Sequence, residues 1–210
     1  MRIKDEVAAR NITQVVHFTT LNGLTGILHT KALKASKGLD AEQSLEHILQ
    51  HNAPYRSDKH WTGYVNLSVS RINTSYFNYS SEKWHPTYEW CIICLKPEIL
   101  EHSGVHFTTT NNIYHNDIKR DLGLTGLKNM FADTVVGKWG QGIQRSTATP
   151  SHYTTDIEAE VLYPSEISLD FIDRILVPNE EIATNVAGSM HSLDISDIDL
   201  EVDEAAFAIW

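Results

Sequence analysis

Two glutamates flank a single alanine, Glu158-Ala159-Glu160, inside IEAEVLYP, a run that reads as a β-strand. Side chains alternate along a strand, so both carboxylates fall on one face, about 7 Å apart by Cα. Ile157, Ala159 and Val161 take the other face. Such a pair suits acid–base work or the stabilisation of a developing positive charge. It is equally the pattern of an edge strand with a solvated acidic face. His17 ends a second apolar run, ITQVVHF, where an imidazole is either a hydrogen-bonded core group or a proton-transfer and binding group. Ser68 and Ser70 share the polar face of YVNLSVSR with Asn66, opposite Val65, Leu67 and Val69.

Other elements must position these residues. Residues 12–18 predict a short buried strand. The helix after it has Thr20 as its N-cap and Leu21, Leu24, Ile27 and Leu28 on one face. Residues 40–51 predict a helix capped by Asp40 and residues 87–95 a central apolar strand. GVHFTT is a further strand, and residues 117–131 a helix weakened by Gly123 and Gly126. FIDRILV reads as a strand, and NEEIATNV as the start of a last helix. Strands outnumber helices without regular interleaving, which predicts an α+β fold with mostly antiparallel pairing. Residues 132–155, rich in Gly, Thr and Ser, predict a long functional loop or a disordered one.

The 210 residues carry a net charge of -10, with 41% hydrophobic and 21% charged residues, a globular composition. Eight of the 27 acids lie in residues 180–210, which hold no Lys or Arg, so residues 1–179 set 19 acids against all 17 bases. The body is near neutral and the tail acidic. The tail's alternation of Ile198, Leu200 and Val202 with acids predicts a half-buried strand that adds to the body or to a partner. No apolar run is long enough for a membrane span, and MRIKDEVAAR lacks the apolar core of a secretory signal. Two cysteines fit a reducing cytoplasm. Cys91 and Cys94 match C-x-x-C, but three-residue spacing on a strand sends the thiols to opposite faces, the pattern of core packing. His47 and His51, and His102 and His106, are spaced by four without the Glu that a zinc-protease motif needs, so no metal is expected.

The order of these segments carries a resemblance. HFTTLNGLTGIL (17–28), YVNLSVSRINTSYF (64–77), GVHFTTTNNIYHN (104–116) and EAEVLYP (158–164) follow one another as the motifs of the DarT family do. That family comprises the ADP-ribosyltransferase toxins of DarT–DarG toxin–antitoxin systems. The resemblance spans roughly residues 12–178. It implies an ADP-ribosyltransferase fold, two packed mostly antiparallel sheets forming an NAD cleft, with residues 1–180 as the catalytic domain and 181–210 as an acidic tail or edge strand. It implies a reaction that consumes NAD, needs no metal and passes ADP-ribose to a nucleic-acid base, most simply in single-stranded DNA, as a toxin or phage-defence effector with a cognate antitoxin. An RNA or protein target, and a non-catalytic binding derivative, are the alternatives.

On this resemblance Glu160 stabilises the oxocarbenium-like transition state of glycosidic cleavage, and Glu158 orients the acceptor. His17, Thr19 and Asn22 hold the dinucleotide, and Arg56 its pyrophosphate. Ser68 and Ser70 line the nicotinamide cleft, with Tyr76 against the ring. The loop before the catalytic strand offers Lys138, Trp139, Gln141 and Arg145, the mixture of cation, aromatic and amide that single strands favour. Asn111, Asn112 and Tyr114 are further acceptor-side contacts.

Overall fold

The computed structural model describes residues 2–39, 59–114 and 119–208. The helix expected over residues 40–51, together with Arg56, His47 and His51, lies outside them. Twelve strands are described: β1 (Val15–Thr20), β2 (Ala32–Lys34), β3 (Tyr64–Val69), β4 (Trp90–Leu95), β5 (His106–Thr108), β6 (Arg120–Leu122), β7 (Thr134–Val136), β8 (Gly142–Gln144), β9 (Glu160–Pro164), β10 (Glu166–Ser168), β11 (Ile172–Val177) and β12 (Asp199–Val202). Eight of them form one sheet in the order β12-β11-β4-β1-β3-β9-β5-β6, antiparallel except for the β11–β12 pair.

The centre of this sheet determines the site. β1 pairs with β4 over six residues but with β3 over only two, Val15 with Val69 and Val16 with Ser68. The expected two sheets are therefore two half-sheets, joined by a two-residue ladder and parting beyond it. Backbone groups left unpaired at such a fork need other partners. The ring of His17 supplies one, its Nδ1 lying 2.9 Å from the carbonyl oxygen of Asn66.

One face of the sheet carries the larger core, including Leu24, Leu28, Val65, Leu67, Ile93, Leu127 and Val161. Helices Leu21–Thr30, Gly123–Asn129 and Glu180–Ser192 contribute to it. The other face carries a smaller cluster of Val16, Ile72, Phe77, Trp90, Ile92 and Leu176. β4 is buried along its whole length, and Cys91 and Cys94 fall into the two different clusters as their spacing predicts. Burial raises both thiols, Cys94 to about 12. Thr20 caps its helix, its hydroxyl accepting the Gly23 N–H at 3.1 Å.

Three expectations change. Residues 120–122 form a strand paired with β5, and the helix begins only at Gly123, whose φ of 66° ends the strand. Residues 132–155 contain a hairpin, β7 with β8, followed by turns. The strand read from Ile157 starts at Glu160. The Asp156 carboxylate accepts the N–H of Glu158 at 2.9 Å, and this local turn displaces the extended backbone.

Helix Gly123–Asn129 sits so close to β6 that a Cβ on Gly126 would stand 2.4 Å from the backbone oxygen of Asp121. We expect Gly126→Ala to destabilise the protein by about 2 kcal/mol, overpacking outweighing the gain in helix propensity. Gly188→Ala, with nothing within 4 Å of the added carbon, stabilises its helix by up to about 1 kcal/mol. Thermal unfolding of both variants checks the pair.

Candidate active site

The fork between β1 and β3 opens into a cleft. Its lining brings together His17, Ser68, Tyr76, Asn111 and Glu160, five of the residues expected from the sequence. It adds Phe18, Asn66, Asn73, Trp84 and Ile113. Tyr76 forms an aromatic wall with Phe18 and Trp84, its ring 5.8 Å and 5.9 Å from theirs. Asn73 caps the helix Thr74–Asn78 by accepting the Tyr76 N–H at 3.0 Å, which fixes the base of that wall. The polar face of β3 signals Asn66 in the sequence, whereas Asn73 and Trp84 are brought in only by tertiary packing.

Asp156, Glu158 and Glu160 are held by one segment through every second one of its residues from Thr108 to Tyr114. The Thr108 hydroxyl bridges the strands, 3.2 Å from both the N and the O of Glu160. The Thr110 hydroxyl donates to the buried Asp156 carboxylate at 2.6 Å. The Asn112 N–H donates to the Glu160 carboxylate at 2.8 Å, and the Tyr114 hydroxyl to Glu158 at 2.6 Å. Each glutamate of the pair thus has its own donor. Burial, with the Glu158 hydrogen bond and charge behind it, pushes the Tyr114 phenol far above its ordinary range.

Asn112 is itself buried, its side chain and carbonyl both accepting from the Arg120 guanidinium. It stands behind Glu160 rather than on an exposed acceptor surface. Arg120 reaches Asn112 from β6, a strand not anticipated in the sequence. If this arrangement fixes the Glu160 carboxylate, Arg120→Ala lowers kcat about tenfold and leaves KM for NAD nearly unchanged. Steady-state kinetics with NAD varied separates the two constants.

The remaining sites are distributed differently. Ser68 lines the cleft, but Ser70 does not share its face. The strand ends at Val69, and Ser70 takes a left-handed φ of 66°, which turns it into a second cavity. Thr19 lies against the first turn of the following helix, so close that a Cβ on Gly23 would meet its hydroxyl at 2.2 Å. Asn22 is exposed on that helix and does not line the cleft. Trp139 is 88% exposed at the hairpin tip, with φ 68° and the Lys138 ammonium 5.0 Å above its ring. Gln141 is exposed beside it. The Arg145 guanidinium turns inward and donates to the carbonyls of Tyr153 and Pro150, at 2.7 and 2.8 Å. Its hydrogen bonds hold the loop. His102 bonds the Tyr163 hydroxyl, and His106 the Gly104 carbonyl. Among the described residues no group of three or more His, Cys, Asp or Glu could hold a metal, and no helix is long and apolar enough to cross a membrane.

A split sheet, with His17 at its fork and Glu160 opening β9, thus frames one cleft. Comparison with known proteins gives the class. The family model for DarT, described as ssDNA thymidine ADP-ribosyltransferase, matches residues 16–208, and the chain belongs to that family. Its fold resembles Thermus sp. 2.9 DarT in complex with NAD+, with TM-score 0.65, 16% identity, and 94% of this chain and 98% of that one covered. The same Thermus protein in complex with ADP-ribosylated ssDNA gives TM-score 0.62 and 14% identity over 94% and 97% of the two chains. Thermosipho africanus DarTG in complex with ADP-ribose gives TM-score 0.60 and 14% identity, over 93% of this chain and 51% of that longer one. No curated protein matches the chain. The protein is accordingly an NAD-consuming ADP-ribosyltransferase that acts on a nucleic-acid base.

Proposed function

We propose that the base modified is thymidine in single-stranded DNA and that Glu160 is the catalytic carboxylate. The observation behind this reading is that Glu160 and His17 line one cleft, with the Glu160 carboxylate aimed by the Asn112 N–H. In the reaction the bond between nicotinamide and ribose breaks, its electron pair leaves with nicotinamide, and positive charge builds on the ribose. A carboxylate fixed beforehand stabilises that charge without reorganising. The attacking base loses a proton as its bond to the ribose forms, and Glu160 is placed to take it. Tyr76 and Trp84 give the nicotinamide ring an aromatic wall, and Ser68, Asn66 and Asn111 offer hydrogen bonds around it. Arg56 stays assigned to the pyrophosphate on the resemblance alone. Glu158, held by Tyr114 beside the hairpin, orients the acceptor.

Residues 1–180 are read as the catalytic unit and 181–210 as an acidic extension. The family supports a toxin role with a cognate antitoxin, as does the name DarTG borne by the Thermosipho relative.

The test supplies labelled NAD with single-stranded DNA, RNA or lysate protein in turn. Label is expected on thymidine-containing single strands. Label on RNA or protein alone overturns the target. No label on any of them, with the wild type behaving like Glu160→Ala, overturns the site. Trp139→Ala is expected to weaken single-strand binding about tenfold, the loss of one stacked base, in a fluorescence anisotropy titration.

A further inference from the structure

The extension after residue 180 comes back to the catalytic cleft. β12 runs parallel to β11, and the Asp203 N–H then donates to the Val177 carbonyl at 2.9 Å. The Asp203 carboxylate accepts the Ala206 N–H at 3.1 Å and caps a 3-10 turn, Glu204–Phe207. This turn lays Ala206 and the partly buried Phe207 ring against the smaller core. No step of the transfer reaction described above uses Phe207.

Phe207 stands one ring away from the cleft. Its centroid is 5.7 Å from that of Phe77, and the Phe77 ring meets the Phe18 ring edge to face at 5.3 Å. Phe18 lines the cleft, and the Tyr76 ring lies 5.8 Å from it. Phe77 and Tyr76 are neighbours on the helix Thr74–Asn78, so whatever presses on Phe77 from outside also sets where Tyr76 stands.

That helix has little rigidity of its own. It is five residues long, far below the about 12–15 that an isolated helix needs. It runs on into a π-helix, Tyr79–Trp84, a rare form that occurs at functional sites. An α-helix advances about 100° per residue, so over the eight residues from Tyr76 it would leave Trp84 about 80° out of phase. The wider π turn brings Trp84 back to the Tyr76 side, with the two rings 5.9 Å apart. Two polar atoms of this region, Ser80 Oγ and Trp90 Nε1, are buried without a hydrogen-bond partner among the described residues, so neither ties the segment down. Phe77 is instead held between Phe18 and Trp90 of the sheet and Phe207 of the extension. Resting on the reading that Tyr76 and Trp84 form the wall for nicotinamide, we propose that Phe207 is a positioning residue for that wall. It acts through Phe77 and touches no substrate. The extension thereby serves the nicotinamide half of the dinucleotide and leaves the ADP-ribose half to the rest of the cleft.

The experiment compares NAD with ADP-ribose, which lacks the nicotinamide, on the full chain. Phe207→Ala is expected to weaken calorimetric NAD binding and raise KM for NAD about fivefold, with kcat and ADP-ribose binding within about twofold of wild type. Phe207→Tyr keeps the ring and is expected to restore NAD binding. Equal weakening of both ligands, or of neither, overturns the proposal. Trp84→Ala tests the reading beneath it. If that variant binds NAD like wild type, the wall is misassigned and the proposal falls with it. If it weakens NAD while Phe207→Ala does not, the wall stands and the role of Phe207 alone is overturned. Hydrogen exchange on the wild-type chain needs no variant. NAD is expected to slow exchange over residues 74–84 and 204–207 more than ADP-ribose does, and equal protection by the two ligands overturns the link.

Discussion

Glu160→Gln is expected to reduce ADP-ribosyl transfer about 10³-fold, the scale set when a fixed electrostatic group is removed from a transition state. The substitution is nearly isosteric. Its amide oxygen still accepts the Asn112 N–H that now holds the carboxylate at 2.8 Å, so the fold and the cleft remain. On the proposed assignment the lost quantity is the negative charge that faces the ribose as nicotinamide departs. Single-turnover transfer to a labelled strand measures it, with calorimetric NAD binding and the unfolding midpoint both expected close to wild type. Activity within tenfold of wild type would move the catalytic role to another group, with Glu158 the first to test.

Asp156→Ala is expected to cost about 3 kcal/mol of stability and at least about 10²-fold in kcat. Its carboxylate is 5% exposed and accepts two hydrogen bonds, from the Thr110 hydroxyl and the Glu158 N–H. Truncation leaves both donors buried without a partner, at about 1–3 kcal/mol each before relaxation. The turn it fixes leads directly into Glu160, and a displacement near 1 Å at a reacting group is enough for a loss of that size in rate. Asp156→Asn is intermediate, because its amide oxygen still accepts the Glu158 N–H while its NH2 can only donate to the Thr110 hydroxyl, whose own proton loses its charged acceptor. Chemical denaturation and steady-state kinetics on the two variants give the order. Equal stability of Asp156→Ala and wild type would show that the turn holds without its carboxylate.

The readable parts of this chain are those where local pattern and tertiary demand coincide. The alternation of Val65, Leu67 and Val69 against Asn66 and Ser68 places β3 correctly because one face meets the core and the other the cleft. Thr20 caps as its type suggests, and C-x-x-C divides between two cores as strand spacing requires. Misreadings begin where a side chain captures the backbone or a residue leaves regular φ. Asp156 ends the extended run before Glu158, and Ser70 turns out of its strand, so period-2 reasoning began the strand of Glu160 too early and put Ser70 on a face it does not occupy. Asn112 and Arg145 look like exposed hydrogen-bonding arms in the sequence. Only folding shows that Arg120 claims the first and that backbone carbonyls claim the second. Arg120 carries no local signature and Asp156 only part of one, because Asn112 lies 8 residues from Arg120 and Thr110 lies 46 from Asp156, while Glu158 is two residues on from Asp156.

The strand order has a long-range electrostatic consequence. β12, with Asp199 and Glu201, is the outermost strand at one end of the sheet, and β6, with Arg120 and Asp121 after Lys119, is outermost at the other. Seven strand spacings separate these edges, about 33 Å in a flat sheet. The β12 edge is thus the more acidic of the two, within a total charge of -10 that repels a nucleic acid at long range. A single strand diffusing toward it feels a torque before it feels a contact, and is turned toward the β6 end and away from β12. The acidic strand that covers the β11 edge is therefore expected to bias the direction of approach as well.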